Sequence, residues 1–585
     1  MVVIRIASIS LLSIALILTV VPSSALGKAP HDRGFEVSSW SIPVTTPDEE
    51  GGEVLIDTDV YLPTRRAPRR GRPFVMLFHG GGGEKSSPYD TKRARAFARR
   101  GYGALIYSAR GHGDSGGETT VAGPAEMRDL FEVAAWALDL GERDSPEHPD
   151  FELNRRRFAL WGVSQGGLHT NLAQAHRKDR DLNPHRIRFR ALLPGNTPDR
   201  TFDALVHNEI VKLSFGAGLI QTYMVGAQGR IGSVVQKWIA LAAADAPGSY
   251  GAGPICERGP HDTPTSTMKH DLAERSVGCF MKRMRVPFAW SQAFDDELFT
   301  PQMAVRMYRH APARTKRLYL STGGHGAPGS AKRVERDRLR WQLDFLGHRL
   351  KGQDLDKPPV IYWRRHPAVP APSSPFVWSP RAWRRGTATR WPPPGTRVHT
   401  YELSADGKAV RSGAQPGSAA LAPLTIDIAN DPVAQAAASA TPLGAAPAQS
   451  LPSVSSPGLV AGFATAPMRR SRDLLGSTRL DATFTPLSPD SQLVLKVFDL
   501  APDGTATLLG RDASGMRLAT PGQPKNVRLR TTEFAARIKK GHSFLALLTT
   551  ADASFYKTYP GSLGGSVELG PNATIAVPLR SARRR

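Results

Sequence analysis

Apolar runs alternate with amphipathic stretches over the N-terminal part of the chain. Runs typical of buried strands lie at residues 74–78, 103–107, 157–161, 286–290 and 317–321, and stretches with helical spacing lie between them, the last at 331–350. Parallel strands covered by helices on both faces are continuously apolar. The pattern therefore predicts an α/β domain built around a parallel sheet.

Two segments depart from this alternation. Residues 196–282 have irregular helical spacing, which predicts a lid insertion over the carboxyl edge of the sheet, where α/β proteins place their sites. After residue 357 the chain becomes rich in Pro, Ala, Ser and Gly and then shows short alternating strands, with one helix-like turn at 532–538. We predict an α/β domain over 26–357 and an all-β sandwich domain over 358–585.

The N-terminal segment 1–25 has the order of a secretory signal peptide. Arg5 precedes an apolar run at 6–21, and small residues stand before Leu26. Cleavage before Leu26 is the expectation, and an uncleaved N-terminal anchor is the alternative. The protein is therefore expected to be secreted or extracytoplasmic.

The two cysteines of the chain, Cys256 and Cys279, are expected to pair in an exported protein. Their spacing matches no zinc or C-x-x-C redox pattern. Two unpaired buried thiols are the alternative.

The chain carries 76 Lys plus Arg against 52 Asp plus Glu, a net charge of +24. Its arginines are scattered in short clusters, such as the run at 155–157, and are not gathered with aromatic residues on one element. This distribution argues against nucleic-acid binding. We expect the charge to favour peripheral attachment to an anionic envelope.

A G-x-S-x-G motif centred on Ser164 lies between an apolar strand and a helical stretch without a breaker at 168–175. Small residues around the serine allow a strained strand-to-helix turn, which exposes the hydroxyl and leaves the N–H of Gln165 free to bind an oxyanion. The bare pattern is weakly specific, but its place between strand and helix makes Ser164 a candidate nucleophile.

The partners that a serine nucleophile requires follow in the order Ser, acid, His. Acidic residues at 295–297 lie after one predicted strand, and His325 lies in a Gly-rich loop after the next. That loop can bring the imidazole over Ser164. The combination predicts a catalytic triad of the acyl-transfer type.

A second oxyanion donor is expected from the glycines after the strand at 74–78. His79 and the following glycines form an HGGG-type arrangement, in which Gly80 or Gly81 exposes an N–H. The alternative is that these glycines only make a flexible turn.

Two competing patterns are rejected. The G-D-S-G-G run at 113–117 matches trypsin-like proteases, but their fold is all-β with the serine late in the chain. The glycines at 111–116 match a dinucleotide fingerprint, but no helix begins at the third glycine. Both are interpreted as one Gly-rich loop.

The chain resembles the X-Pro dipeptidyl-peptidase and cocaine-esterase-like α/β-hydrolases. The resemblance rests on the segments 162–167, 110–117, 296–299, 391–393, 497–504 and 540–542, together with Trp383, and spans roughly residues 35–560. It implies Ser164 as nucleophile, Asp296 as the acid that orients the base, His325 as the base, and a C-terminal jelly-roll domain. The chain departs from the cocaine-esterase branch where that branch places an oxyanion-hole tyrosine, since this loop offers glycines.

These observations predict an exported serine hydrolase that cleaves acyl esters or amides through an acyl-enzyme, without metal or cofactor. The acids Glu209, Asp262, Asp271 and Glu274 of the insertion lie in polar surroundings and are expected to face water, so ester cleavage is expected ahead of X-Pro amide cleavage. An X-Pro dipeptidyl-peptidase is the first alternative. The second is an inactive exported protein that binds carbohydrate or envelope.

Overall fold

The computed structural model of this 585-residue chain describes residues 34–138, 151–212, 219–246, 248–257, 259–296, 298–325, 332–365, 383–404, 407–412, 424–427, 448–449, 461–504, 506–509, 514–518, 520–550, 556, 566–570 and 572–582. The predicted signal segment lies outside the described residues. No described helix is both long enough and apolar enough to cross a membrane.

The N-terminal part contains a mixed sheet with a parallel centre. Its strands pair in the order β1-β2-β4-β3-β5-β6-β9-β10-β11-β12, parallel from β4 to β11 and antiparallel at both edges, while β7 and β8 form a separate hairpin. The strands are β1 (Phe35–Val44), β2 (Val54–Pro63), β3 (Arg72–Phe78), β4 (Gly103–Tyr107), β5 (Leu153–Val163), β6 (Ala191–Gly195), β7 (Val206–His207), β8 (Ile210–Val211), β9 (Phe288–Ala293), β10 (Lys316–Ser321), β11 (Val360–Arg365) and β12 (Trp383–Ala388). The predicted α/β class is confirmed.

Helices cover both faces of this sheet, so neighbouring residues of one strand enter different cores. Leu160 of β5 joins the core that contains Leu130 and Leu172, whereas Trp161 joins the core that contains Phe97 and Phe345. The helices are α1 (Pro88–Ala98), α2 (Pro124–Ala137), α3 (Gln165–His176), α4 (Thr201–Leu205), α5 (Ile220–Gly226), α6 (Ser233–Ala244), α7 (Met268–Glu274), α8 (Pro301–His310) and α9 (Lys332–Lys351). The continuous apolar runs of the sequence reflect this two-sided burial.

The insertion between β6 and β9 has a small core of its own. Helices α4 to α7 contribute residues to this core, among them Phe202, Trp238 and Leu272, and a 3₁₀ helix follows at Val277–Arg283. A disulfide joins Cys256 to Cys279. The helical character predicted for residues 196–282 is found in the part of that segment that the structure describes.

The C-terminal part is built of strands. These are β13 (Arg397–Leu403), β14 (Lys408–Arg411), β15 (Leu424–Asp427), β16 (Ala448–Gln449), β17 (Ala461–Thr465), β18 (Arg472–Gly476), β19 (Arg479–Pro486), β20 (Ser491–Leu500), β21 (Ala506–Leu508), β22 (Ser514–Leu518), β23 (Lys525–Arg530), β24 (Phe534–Ile538), β25 (Ser543–Thr549), β26 (Ser566–Leu569) and β27 (Thr574–Ser581). The β-rich class is as predicted, and the jelly-roll arrangement stays a prediction.

The helix-like turn expected at 532–538 is wrong, because β24 is a strand. It pairs antiparallel with β18 and touches β11 through Arg365 and Ala536. Four of its five residues are buried, so the apolar positions do not alternate. A short strand covered on both faces cannot be told from a helical turn by its periodicity.

The β-rich domain also holds the insertion. The guanidinium of Arg517, on β22, lies 3.3 Å from Asp245 at the end of α6 and 2.9 Å from Asp490 of its own domain. Asn208 of the insertion donates a hydrogen bond from its side-chain amide to the carbonyl of Gly515 (2.8 Å). The insertion is thus fixed between the two domains.

Candidate active site

Ser164 lies on a sharp turn between β5 and α3. Its backbone has φ 61° and ψ −125°, a conformation that is costly for a residue with a side chain. The flanking glycines make the turn sterically feasible: a Cβ on Gly162 would lie 2.2 Å from the backbone of Gly166, and one on Gly166 would lie 2.1 Å from the carbonyl oxygen of Phe78. The strained serine backbone is the geometry that the G-x-S-x-G pattern predicted.

The three residues predicted as a triad lie in hydrogen-bond contact. His325 Nε2 is 2.8 Å from Ser164 Oγ, and His325 Nδ1 is 3.0 and 3.1 Å from the two carboxylate oxygens of Asp296. The carboxylate can only accept from Nδ1–H, so the neutral imidazole has Nε2 free to accept the serine proton. The arrangement can therefore transfer a proton away from Ser164.

The carboxylate of Asp296 is fully buried and held from several sides. It accepts hydrogen bonds from the backbone N–H groups of Leu298 (3.1 Å) and Phe299 (2.8 Å) and from the side-chain amide of Gln292 (3.0 Å). The neighbouring Asp295 is not in this position; its backbone N–H donates to the carbonyl of Gly323. Of the paired acids, the structure places Asp296 at the imidazole.

Two buried histidines hold the glycine loop after β3. Ala109 N–H donates to Nε2 of His79 (2.8 Å), so Nδ1 carries the proton and donates to the carbonyl of Gly80 (2.7 Å). Nε2 of His112 accepts a long hydrogen bond from the N–H of Gly82 (3.4 Å). Burial, and then the mutual repulsion of the two rings, lowers the pKa of His79 to about 3, and burial also lowers the pKa of His112. Both rings are therefore neutral near pH 7.

The predicted oxyanion donors lie beside the nucleophile. A Cβ on Gly80 would be 3.5 Å from the Cβ of Ser164. The N–H of Gly83 donates a hydrogen bond to the carbonyl of Gly80 (3.0 Å). The N–H of Gly81 has no acceptor among the described residues, so it is available to a substrate oxygen. Gln165 is the first residue of α3, where N–H groups lack an intrahelical acceptor.

Tyr223 of the insertion reaches this site, and no sequence pattern indicated it. Its hydroxyl donates to Oε1 of Gln165 (2.8 Å), whose Nε2 donates to Glu126 (3.3 Å), and Glu126 in turn pairs with His169 (2.9 Å). Burial opposes ionisation of Glu126, but the contact with His169 outweighs it and lowers the pKa of the carboxyl. A Cβ at Gly81 would lie 2.8 Å from the tyrosine ring, so this glycine also makes room for the insertion.

Ser115, in the rejected G-D-S-G-G pattern, has a structural role. It is fully buried, donates to the carbonyl of Ser108 (2.7 Å) and accepts from the N–H of Asp57 (2.9 Å). Among the described residues, no group of three or more His, Cys, Asp or Glu side chains is arranged to hold a metal ion.

The expectation that the acids of the insertion face water is wrong for Asp271. This carboxylate is fully buried and lies 2.8 Å from both Nζ of Lys237 and Nε1 of Trp238. Asp262 is half-buried and pairs with Arg275 at 2.7 Å, whereas Glu209 is exposed. The expectation was wrong because it was based on the polar residues next to these acids in the sequence, whereas ion pairs with Lys237 and Arg275 allow the carboxylates to be buried.

Two family models match the chain in the order of its two domains. Residues 50–183 match the X-Pro dipeptidyl-peptidase (S15 family) model. Residues 354–568 match the model of the X-Pro dipeptidyl-peptidase C-terminal non-catalytic domain. A search of curated protein sequences found no match.

Solved structures share the fold over nearly the whole chain at low sequence identity. An α-amino acid ester hydrolase has 14% identity and a TM-score of 0.65, with 97% of this chain and 100% of that chain covered. An aminopeptidase from a marine sediment archaeon (Thaumarchaeota) has 14% identity and a TM-score of 0.64, covering 96% and 100%. A CocE/NonD family hydrolase from Staphylococcus aureus has 14% identity and a TM-score of 0.63, covering 93% of each chain.

Proposed function

The chain belongs to the X-Pro dipeptidyl-peptidase S15 family and is a serine hydrolase, and we propose that it cleaves acyl esters in preference to X-Pro amides. The observation that carries the catalytic part of this proposal is the hydrogen-bonded chain from Ser164 through His325 to Asp296. The preference for esters rests on the charges of the insertion.

In the proposed reaction, Ser164 Oγ attacks the acyl carbon as its proton passes to Nε2 of His325. Asp296 stabilises the resulting imidazolium through Nδ1–H without taking the proton. The negative charge that develops on the carbonyl oxygen is bound by the N–H groups of Gln165 and of Gly80 or Gly81.

The tetrahedral intermediate then collapses, and the proton on His325 passes to the departing alcohol. The acyl group remains on Ser164 until water, deprotonated by His325, attacks it and releases the acid. Water and substrate supply every atom that is transferred, and the triad is regenerated.

A substrate ammonium group would need a carboxylate without a partner. Each buried aspartate described in the insertion is already close to a cation: Asp199 to Arg306 (2.6 Å), Asp245 to Arg517 (3.3 Å) and Asp271 to Lys237 (2.8 Å). Binding the amino terminus of a peptide there would require an ion pair to be broken, at a cost of several kcal/mol. A neutral acyl ester can bind without breaking any of these ion pairs.

The proposal is tested by comparing kcat/KM for short-chain aryl esters with kcat/KM for X-Pro p-nitroanilides. We expect the esters to be turned over faster, and a higher kcat/KM for an X-Pro amide would reverse the assignment. Fluorophosphonate labelling of the wild type and of Ser164→Ala is the companion measurement. An unlabelled wild type without turnover would instead indicate an inactive binding protein.

We also propose that the enzyme is exported. The joined pair Cys256–Cys279 supports this compartment, because disulfides persist in oxidising surroundings. Mass spectrometry of the protein from its native host should find a mature N-terminus at Leu26. A chain that retains residue 1 would indicate an anchor.

A further inference from the structure

The β-rich domain carries a strongly cationic cavity. It has a volume of about 800 Å³ and lies between β13, β14 and the segment that joins β17 to β18. Among the residues that the structure describes, no acidic side chain lines it. Five cationic side chains do: Lys408, Arg411, Arg469, Arg470 and Arg472. Arg411, Arg469 and Arg470 are exposed, so the cavity opens to solvent.

Three arginines close to this cavity are compensated by an ion pair with one buried carboxylate. Arg364, Arg537 and Arg580 all lie within 3.4 Å of the buried carboxylate of Asp473. Arg472 is adjacent to this aspartate in sequence but points to the other side of β18, where it donates to the hydroxyl of Ser581 (2.6 Å).

In contrast, the four arginines of the cavity, at 411, 469, 470 and 472, form no ion pair within the part of the chain that the structure describes. The pKa of His399 on β13 is lowered, mainly because the ring is partly buried and, second, because the charges of Arg411 and Arg472 repel its protonated form. A concave surface with uncompensated arginines favours a ligand with carboxylate or phosphate oxygens, to which guanidinium groups bind in a bidentate manner.

The uncharged residues that line the cavity indicate which kind of anionic ligand fits it. The ring of Tyr401 and the apolar surfaces of Pro467 and Met468 offer faces against which the C–H side of a sugar ring can pack. Tyr401 is the single aromatic residue among the described residues of the lining, whereas single-stranded nucleic acids are bound on a series of stacking aromatics. We propose that this cavity binds an acidic polysaccharide, with the arginines on its carboxylates and Tyr401 against a sugar ring.

Such a site would hold the hydrolase on an anionic glycan and is independent of the chemistry at Ser164. The test measures binding of a fluorescent polygalacturonate oligosaccharide to the full chain at about 50 and about 200 mM salt. The site variant is Arg411→Gln with Arg470→Gln. The matched control removes two exposed arginines from the start of β5, Arg155→Gln with Arg156→Gln.

We expect the dissociation constant of the site variant to rise about tenfold or more, since charge-assisted hydrogen bonds are lost. The control should bind as the wild type does, and all three proteins should cleave esters equally. Equal losses in the two variants would overturn the proposal, as would equal binding of a neutral oligosaccharide. A single-stranded DNA oligonucleotide of the same charge that binds as tightly would also overturn it, in favour of a nucleic-acid site.

Discussion

The turn that carries Ser164 and the helix that carries Tyr223 face each other but are held in different ways. The turn is fixed by its own backbone. A Cβ added at Gly162 or Gly166 would lie within 2.2 Å of neighbouring backbone atoms, and the serine itself has φ 61°. Tyr223 is held by contacts between distant parts of the chain, through Gln165 and through the packing of the insertion.

This difference separates chemistry from positioning. The three residues of the predicted triad, Ser164, Asp296 and His325, lie on the segments that directly follow β5, β9 and β10, at one edge of the sheet. The residues that close the site from the insertion depend on ion pairs, a disulfide and contacts with the second domain. Changes to the first set should abolish the reaction, and changes to the second should alter its rate or the stability of the fold.

The largest effect is expected for Ser164→Ala. Loss of the nucleophile should lower kcat for ester hydrolysis by about six orders of magnitude, with an unchanged circular dichroism spectrum. The matched control is Ser115→Ala, in which the N–H of Asp57 and the carbonyl of the buried Ser108 lose their hydrogen bonds to the hydroxyl. This variant should cost about 1–3 kcal/mol of stability with little loss of kcat. Full activity of Ser164→Ala would contradict the proposed mechanism.

The second largest loss of kcat is expected for Asp296→Asn. The amide can no longer fix the Nδ1–H tautomer of His325, and kcat should fall by about 10⁴. Asp295→Asn is the neighbouring control and should keep most of its activity, because Asp296 makes the hydrogen bonds to the imidazole. The reverse order of the two variants would mean that the other acid of the pair is the orienting residue.

Removal of the disulfide tests how much this bond contributes to the stability of the insertion. The bond between Cys256 and Cys279 has a sequence separation of 23 residues, and a loop of this size corresponds to about 3 kcal/mol in the chain-entropy model. A Cys256→Ser, Cys279→Ser variant should unfold at lower denaturant concentration, while its triad residues keep their contacts. Two titratable thiols in the unreduced, denatured wild type would show that the bond does not form.

The smallest effect is expected for Tyr223→Phe. The ring stays against the glycine loop, but the hydrogen bond to Gln165 is lost. Since one hydrogen bond is worth about 1 kcal/mol, kcat should fall about fivefold with KM nearly unchanged. The readout is the separation of kcat from KM, together with the rate of fluorophosphonate labelling. An unchanged kcat would assign Tyr223 to packing alone.

Sequence patterns predicted the three residues that the structure brings into hydrogen-bond contact, because each of them is tied to a local signal. Ser164 has its glycines, and His325 follows a strand in a Gly-rich loop. Asp296 and Asp295 are equivalent by local pattern, and only the resemblance to a family separated them. The structure places Asp296 at the imidazole because the N–H groups of Leu298 and Phe299 turn its carboxylate inward.

By itself the sequence determined the α/β class, the strand-to-helix turn at Ser164 and the change to a β-rich domain, because these depend on short-range periodicity and on glycine sterics. Only the tertiary structure decided that Tyr223 reaches Gln165, that Asp271 is buried beside Lys237, and that β24 is a strand. Those contacts join residues far apart in the chain or depend on burial from both sides. Such contacts leave no periodic trace in a single sequence.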